Sequence, residues 1–302
     1  MNKNNKNNTP WIHVLCPVCN SENYEPVTKD WQNIQGKQYT FQLVKCQDCG
    51  LIYVNPRLDR EKIIGTAGGG AWSQAALVNR GIYKHGIQHL KSLLTRSNLS
   101  QNRNPKYKLL DIGCGYGAFL DSAQQMGFAV AGVEIDKQIA EKARASGFVV
   151  YDDYLENLEL PANNYDVITL WDVIEHVPDP VSLLAECHRL LKPGGILFYH
   201  TGNAKFQVTK GRILAKLRPN RGPNNVPIQH ILHLDDTTSR YLLNRAGNFD
   251  YIEIRFLDTL YYTNKKKFVL MKTYNETMRL LHNLGLPLWT SSLAAFARKA
   301  NS

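Results

Sequence analysis

The sequence predicts a doubly wound, largely parallel α/β sheet with a small cysteine ribbon in front of it. Three observations carry this expectation. From Tyr107 onward, apolar runs of strand length alternate with amphipathic helical stretches. A glycine turn, Gly113-Cys114-Gly115-Tyr116-Gly117, follows the first of those strands. Two Cys-x-x-Cys pairs, Cys16/Cys19 and Cys46/Cys49, flank a stretch of near-alternating apolar residues. Repeated βα units of this size bury a parallel sheet between helices.

Taken in order, residues 1–10 (MNKNNKNNTP) are polar, lack the apolar core of a signal peptide, and read as a disordered tail. Residues 11–57 form the ribbon, with Tyr39, Phe41, Leu43 and Val44 supplying the extended arm between the two cysteine knuckles. Two knuckles giving two thiolates each make a tetrahedral zinc site, closed and therefore structural. Four unligated thiols on so small and hydrophilic a module would leave too little core to fold. Residues 58–104 read as a helical connector: a glycine patch from Gly65 to Gly70, a helix from Trp72 to about Thr95, then a polar run. That helix either covers a ligand or only links two units. From 105 to 302, strands are expected at Tyr107–Ile112, Phe128–Glu134, Phe148–Tyr151, Tyr165–Trp171, Ile196–Thr201, Tyr251–Leu257 and Ser291–Arg298. Asp136 and Asp179-Pro180 open helices, a third helix runs from about Asp236 to Ala246, and Gly147 and Lys192-Pro193-Gly194-Gly195 are stops.

Composition narrows the class further. A chain of 302 residues with 43% hydrophobic content supports one large domain plus an appendage. No apolar run approaches the length of a membrane span. The six cysteines do not read as a disulfide framework, which fits a reducing cytoplasm. A net charge of +10 favours an anionic partner, and Lys205, Lys210, Arg212, Lys216, Arg218 and Arg221 lie between Thr201 and Leu234 with no acid before Asp235. Apolar residues interleave with these bases, so a short basic amphipathic helix that touches a membrane surface is one reading, and a solvated basic loop is the other.

The ligand class follows from the strand ends, where such sheets bind their ligands. The turn satisfies the dinucleotide pattern through Gly113, Gly115 and Ala118, but Asp111 at the strand tip would repel a pyrophosphate. A carboxylate there attracts a ligand carrying an ammonium group, and S-adenosylmethionine carries an ammonium and a sulfonium and no phosphate. Glu134 ends the second strand, where it can accept both ribose hydroxyls. Asp153, with Asp152 as its competitor, follows the third and can accept from an adenine amino group. Cys114, Gly117, Ile135, Tyr154 and Trp171 complete the expected cofactor lining. Trp171 is expected to pack beside the cofactor, and Cys187 to lie in an apolar helical stripe.

LLDIGCGYGAFL, VAGVEID, YDVITLWDVIEHVPDP and LKPGGILF, in that order, resemble the class I S-adenosylmethionine-dependent methyltransferases. The resemblance spans about residues 105–302 and implies a Rossmann-like, seven-stranded sheet with an antiparallel last strand. The knuckles followed by GLIYVNPR resemble a subgroup with a zinc ribbon, whose members often modify sugars, polyketides or other small biosynthetic intermediates. The implied reaction is methyl transfer to a hydroxyl, for which the protein positions the reactants and removes a proton. Asp172, Glu175 and His176 are the candidate catalytic groups after strand four, with His176 suited to a general base. The family pattern places its usual histidine at His230, with His233 at a position more often aromatic. Asp172-Val173-Ile174-Glu175-His176 is similar to the E-x-x-E-H segment of small-RNA 2′-O-methyltransferases and ubiquinone-pathway O-methyltransferases, in which a divalent metal can orient the acceptor. Asp172 departs from that pattern. The expected acceptor is a small molecule, anionic or linked to a carrier or nucleotide. RNA, and a non-catalytic scaffold, are the alternatives.

Overall fold

The computed structural model describes residues 11–34, 37–58, 80–96, 106–217, 229–255 and 290–301, with scattered residues between 269 and 284. The expected tail, the glycine patch, the first part of the connector helix, and Arg218 and Arg221 lie outside the described residues.

The ribbon consists of β1 (Trp11–Ile12), β2 (Tyr24–Ile34), β3 (Lys37–Cys46), β4 (Ile52–Val54) and β5 (Arg57–Leu58). Next come α1 (Arg80–Arg96), β6 (Lys108–Ile112), α2 (Ala118–Gln125), β7 (Ala129–Val133), α3 (Lys137–Ala145), β8 (Val149–Tyr151) and β9 (Tyr165–Trp171). The chain continues through α4 (Pro180–Leu190), β10 (Leu191–Gly202), α5 (Ala204–Leu217), β11 (Leu232–His233), α6 (Asp236–Ala246), β12 (Phe249–Arg255) and β13 (Ser292–Lys299).

Seven strands form the main sheet in the order β12-β13-β10-β9-β6-β7-β8. Strand β13 runs antiparallel to both neighbours, and the pairs from β10 across to β8 are parallel. This is the expected doubly wound sheet. Asp136 caps α3 by accepting from Gln138 N and Ile139 N, and Asp179 caps α4 by accepting from Ser182 N. The Lys192-Pro193-Gly194-Gly195 stop is corrected in one respect. The helix ends before it at Leu190, but the segment joins β10, with the register against β9 shifting between Leu191 and Ile196. A bulge absorbs the proline and glycines that a regular ladder would reject.

Each face of the sheet has its own apolar layer. Residues of α1, α2 and α3 cover one face, among them Leu90, Leu94, Phe119, Leu120 and Ala140. Helices α4 and α6 cover the other, and the ribbon shares that layer: Phe41, Leu43, Val44, Leu51 and Tyr53 join one buried cluster with Leu184, Cys187, Leu242 and Leu243. Cys187 is fully buried, as the helical stripe predicts. The ribbon is also stitched to the domain through backbone. Strand β11, which lies far along the chain, adds to the ribbon sheet in the order β11-β4-β3-β2. Leu232 pairs with Tyr53 and His233 with Ile52.

Candidate active site

The cofactor end of the cleft grows from the turn after β6. Gly113, Gly115 and Gly117 all hold left-handed backbone, with φ of 72°, 54° and 85°. They serve different purposes. A Cβ on Gly113 would strike Val173 Cγ2 at 2.5 Å, and one on Gly117 would strike Phe148 at 2.7 Å, so these two admit protein packing. A Cβ on Gly115 meets nothing within 4 Å. Gly115 alone therefore lines open space, where backbone can approach a ligand.

Glu134 braces this turn. Its Oε2 accepts from Gly115 N at 3.0 Å and its Oε1 from Asp136 N at 3.0 Å. Each oxygen keeps a lone pair, so ribose hydroxyls remain compatible with the arrangement. Asp111 is buried, and its Oδ1 accepts from Thr169 Oγ1 at 2.6 Å. Burial pushes its carboxyl up to about 8 against the Thr169 hydrogen bond, and the nearby Glu134 charge adds to the rise. Asp153 is exposed and accepts at Oδ1 from Tyr154 N and Asn157 Nδ2, while Asp152 pairs with Arg144 at 3.0 Å. Ile135 is exposed beside Glu134. Cys114 packs inward, its Sγ filling the space that a side chain on Gly132 would need.

Helix α1 brings Tyr83 to the end of β9. Tyr83 packs edge-on against Trp171 and Phe119, at centroid distances of 4.9 and 5.3 Å. Burial, then the charges of Asp111 and Asp172, push the Tyr83 hydroxyl above its usual range. Trp171 also touches Phe198 and His200, and its indole Nε1 is buried with no partner among the described residues.

The acceptor end follows β9. Its predicted groups do not all converge. Asp172, at φ 52°, turns its Oδ1 to His200 Nδ1 at 2.7 Å, and its backbone N–H donates to the His200 carbonyl. Burial opposes the charge on Asp172, but the fields of His200, His230 and His176 and the His200 hydrogen bond hold it below the usual carboxylate range. Asp172 sits on a cleft floor with 51% of its side-chain surface accessible. Glu175, His176 and His230 do converge, each offering a ligand atom within 4.8 Å of the others. Asp172 stands outside this trio, its Oδ1 held by His200 of β10, while its charge still acts on Glu175.

A carbonyl can only accept, so the 2.8 Å contact between His176 Nδ1 and Gln229 O fixes the Nδ1–H tautomer and leaves Nε2 with its lone pair. Burial holds His176 below its ordinary value and takes His230 down to about 3, with His176 and His233 adding to the latter shift. The two rings meet edge to face at 4.7 Å. Glu175 is pushed up to about 8 by burial and by the Asp172 charge, against a hydrogen bond from Thr201, and its Oε2 has no partner among the described residues. His233 lies elsewhere. It is buried in β11 against the ribbon, its Nε2 has no partner among the described residues, and burial pulls it to about 4.

Three partners escaped the sequence reading: Tyr83, His200 and Gln229. His200 had a signal, being a polar residue near the end of a buried strand (Tyr199-His200-Thr201), where ligand-facing groups gather. Of the basic stretch, Lys205 is already paired with Asp235 and Asp236, at 3.5 and 2.6 Å, and Lys210 lies over the Phe206 ring.

The cysteine centre is compact. Sγ of Cys16 and Cys49 lie 3.5 Å apart, as do those of Cys19 and Cys46. All four fall within 4.8 Å of one another, and tetrahedral zinc thiolates would sit about 3.8 Å apart. The two knuckles are equivalent turns: Asn20 N donates to Cys16 O and Gly50 N to Cys46 O, with Asn20 and Gly50 both in left-handed backbone. The Cys49 thiol donating to Cys16 draws Cys16 down to about 5 and forces Cys49 up. The site fits a metal that takes thiolates.

Comparison with known proteins agrees with this geometry. A family model described as a methyltransferase domain matches residues 83–254, more than half of the chain. The ubiquinone biosynthesis O-methyltransferase of Vibrio atlanticus is 30% identical over 176 residues, spanning 48% of this chain and 74% of that protein. The protein of the same description from Actinobacillus pleuropneumoniae is 34% identical over 128 residues, and there the match covers 38% of this chain and 55% of the relative. The chain spans about half the length or less of further relatives of this kind. Among solved structures, the complex of a Haloferax volcanii methyltransferase activator with a methyltransferase gives a TM-score of 0.52 at 14% identity, covering 78% of this chain and 96% of that one. The fold, the glycine turn and the family match lead to one conclusion: the chain belongs to the class I S-adenosylmethionine-dependent methyltransferases.

Proposed function

We propose that this enzyme methylates a hydroxyl of a saccharide or another small biosynthetic intermediate, with His176 accepting the hydroxyl proton. The observation that carries the reading is the His176–Gln229 hydrogen bond. It leaves Nε2 as a base, in a pocket whose burial keeps the imidazole neutral at neutral pH. The sulfonium supplies an activated methyl group that departs without acid assistance. The chain's own contribution is positioning: Gly115 and Glu134 for the nucleoside side, Asp111 for the ammonium, Asp153 with Tyr154 and Ile135 for the base. The relatives named for ubiquinone biosynthesis support a small acceptor with a hydroxyl. They are also consistent with a second use of the same cluster. Glu175, His176 and His230 are three protein ligands for a divalent cation, which would leave positions open for an acceptor oxygen. The four cysteines we assign to structural zinc.

The test is transfer of labelled methyl from S-adenosylmethionine to a panel of sugars, sugar nucleotides and catechol-type phenols. A chelator weak enough to spare the zinc is included in one arm. Methylation insensitive to the chelator and lost in His176→Ala supports the base. Loss on chelation, with rescue by magnesium or manganese, moves the cluster to the metal. Wild-type turnover by His176→Ala refutes both.

A further inference from the structure

Between the first cysteine knuckle and the start of α4 lies a cavity of about 310 Å³. None of Glu175, His176 or His230 lines it, although Pro178 and Asp179 at its edge follow them directly in the chain. Two guanidinium groups face this cavity, Arg57 from the ribbon and Arg245 from the last turn of α6. Neither pairs with a carboxylate within the described residues. Arg57 is only 9% exposed. Its Nη1 donates to the Pro178 carbonyl at 3.3 Å, while its Nε is buried without a partner. Arg245 makes no hydrogen bond or ion pair among the described residues. The one acid at hand, Asp179, acts on Arg57 through its charge without a direct bond, its oxygens bonded to Ser182 N at 3.0 Å and Ser182 Oγ at 2.7 Å, so two cations face one carboxylate.

A buried, half-satisfied guanidinium is costly unless something completes its hydrogen bonds. An oxyanion in the cavity would supply the missing acceptors and offset the two positive charges. It would meet N–H donors from two directions, beside the positive end of an 11-residue helix. A planar carboxylate suits one guanidinium fork, whereas a tetrahedral phosphate presents oxygens to two forks that arrive from different elements. We propose that this cavity, built jointly by the ribbon and the methyltransferase domain, binds a phosphate group, either free or as a monoester on a small molecule. The volume exceeds what phosphate alone would fill, and Leu15, Val18 and Val181 supply apolar wall for a remainder. The site is separate from the catalytic cleft and stands whether or not His176 is the base.

The experiment is calorimetric titration of the zinc-loaded full chain with inorganic phosphate and, separately, with ribose 5-phosphate. Saturable binding by either is expected, weakened at least tenfold in Arg245→Gln and in Arg57→Gln and unchanged in His176→Ala. Because Arg245 is exposed, its substitution leaves the fold intact even if the Arg57 variant does not fold. Tighter binding of ribose 5-phosphate than of phosphate identifies a monoester; equal binding identifies the free ion. Three results would overturn the proposal: no saturable binding at millimolar ligand, undiminished binding in Arg245→Gln, or loss of binding in His176→Ala. Zinc loosened in Arg245→Gln, with no phosphate binding to the wild type, would mean that the arginines only balance the thiolate charge.

Discussion

Around the glycine turn the carboxylates are hydrogen-bonded, while around His176 several buried polar atoms are left open. Glu134 accepts from Gly115 N and Asp136 N, and Asp111 from Thr169, 58 residues away. Near His176, the pairs His200–Asp172 and His176–Gln229 span 28 and 53 residues. The open atoms, without partners among the described residues, are Glu175 Oε2, His200 Nε2 and Gln229 Oε1. A site for a fixed cofactor can have its carboxylates held in place beforehand. A site for a variable acceptor keeps spare valences, and these are where specificity can be written.

The largest effect should come from breaking the cofactor end. Gly115→Arg places a side chain on left-handed backbone and into the open space over the turn, and calorimetry should show S-adenosylmethionine affinity falling by at least about 100-fold. An affinity within threefold of wild type would show that the ligand does not approach there. The complementary break is His176→Ala, for which kcat should drop by about 10²–10⁴ with cofactor affinity unchanged. A matching loss of cofactor binding would mean that the two ends are not separable.

Removing zinc, or Cys46→Ser, sharpens the comparison further. Backbone links the ribbon to the loop beside Glu175: Val54 N donates to Ile231 O, and Ile231 N donates to Glu175 O. Melting the ribbon should therefore lower turnover about tenfold or more while α1 and the glycine turn still bind cofactor. Full activity in protein shown to be metal-free would separate ribbon from catalysis.

The smallest effect concerns Asp111. Its carboxyl, at about 8 when folded and near 3.8 unfolded, makes the native state the better proton binder between those values. Its contribution to stability is thus complete below about pH 4 and is lost as pH rises through about 8. An ammonium group bound beside it would draw the proton off. Titrating S-adenosylmethionine at pH 7 in buffers of different ionisation enthalpy should show proton release, and Asp111→Asn should abolish it. Release of equal size in both proteins would place the titrating group elsewhere.

The same contrast explains what could be read in advance. Strand β9 coincides with the expected Tyr165–Trp171, because a mostly apolar run broken only by Asp166 and Thr169 fits a central strand buried on both faces. The turn and Glu134 were legible because their partners are close in sequence, and Asp111 because it stands at the tip of a strand, although its partner Thr169 lies 58 residues away. That Asp172 would bond His200 depends on the register of β10 against β9, where His200 pairs with Trp171. The two-residue β11 carries no periodicity at all, so its addition to the ribbon sheet, and the placing of His230 and His233 on different sides of that junction, could not be anticipated.

The β4–β11–Glu175 connection bears on how such enzymes can be recombined. A ribbon grafted from a relative would arrive without the strand that completes its sheet, and residues 229–234 left behind would lose the neighbour that sets their height over the cleft. The exchangeable block is therefore discontinuous in the chain: residues 11–58 travel with 229–234.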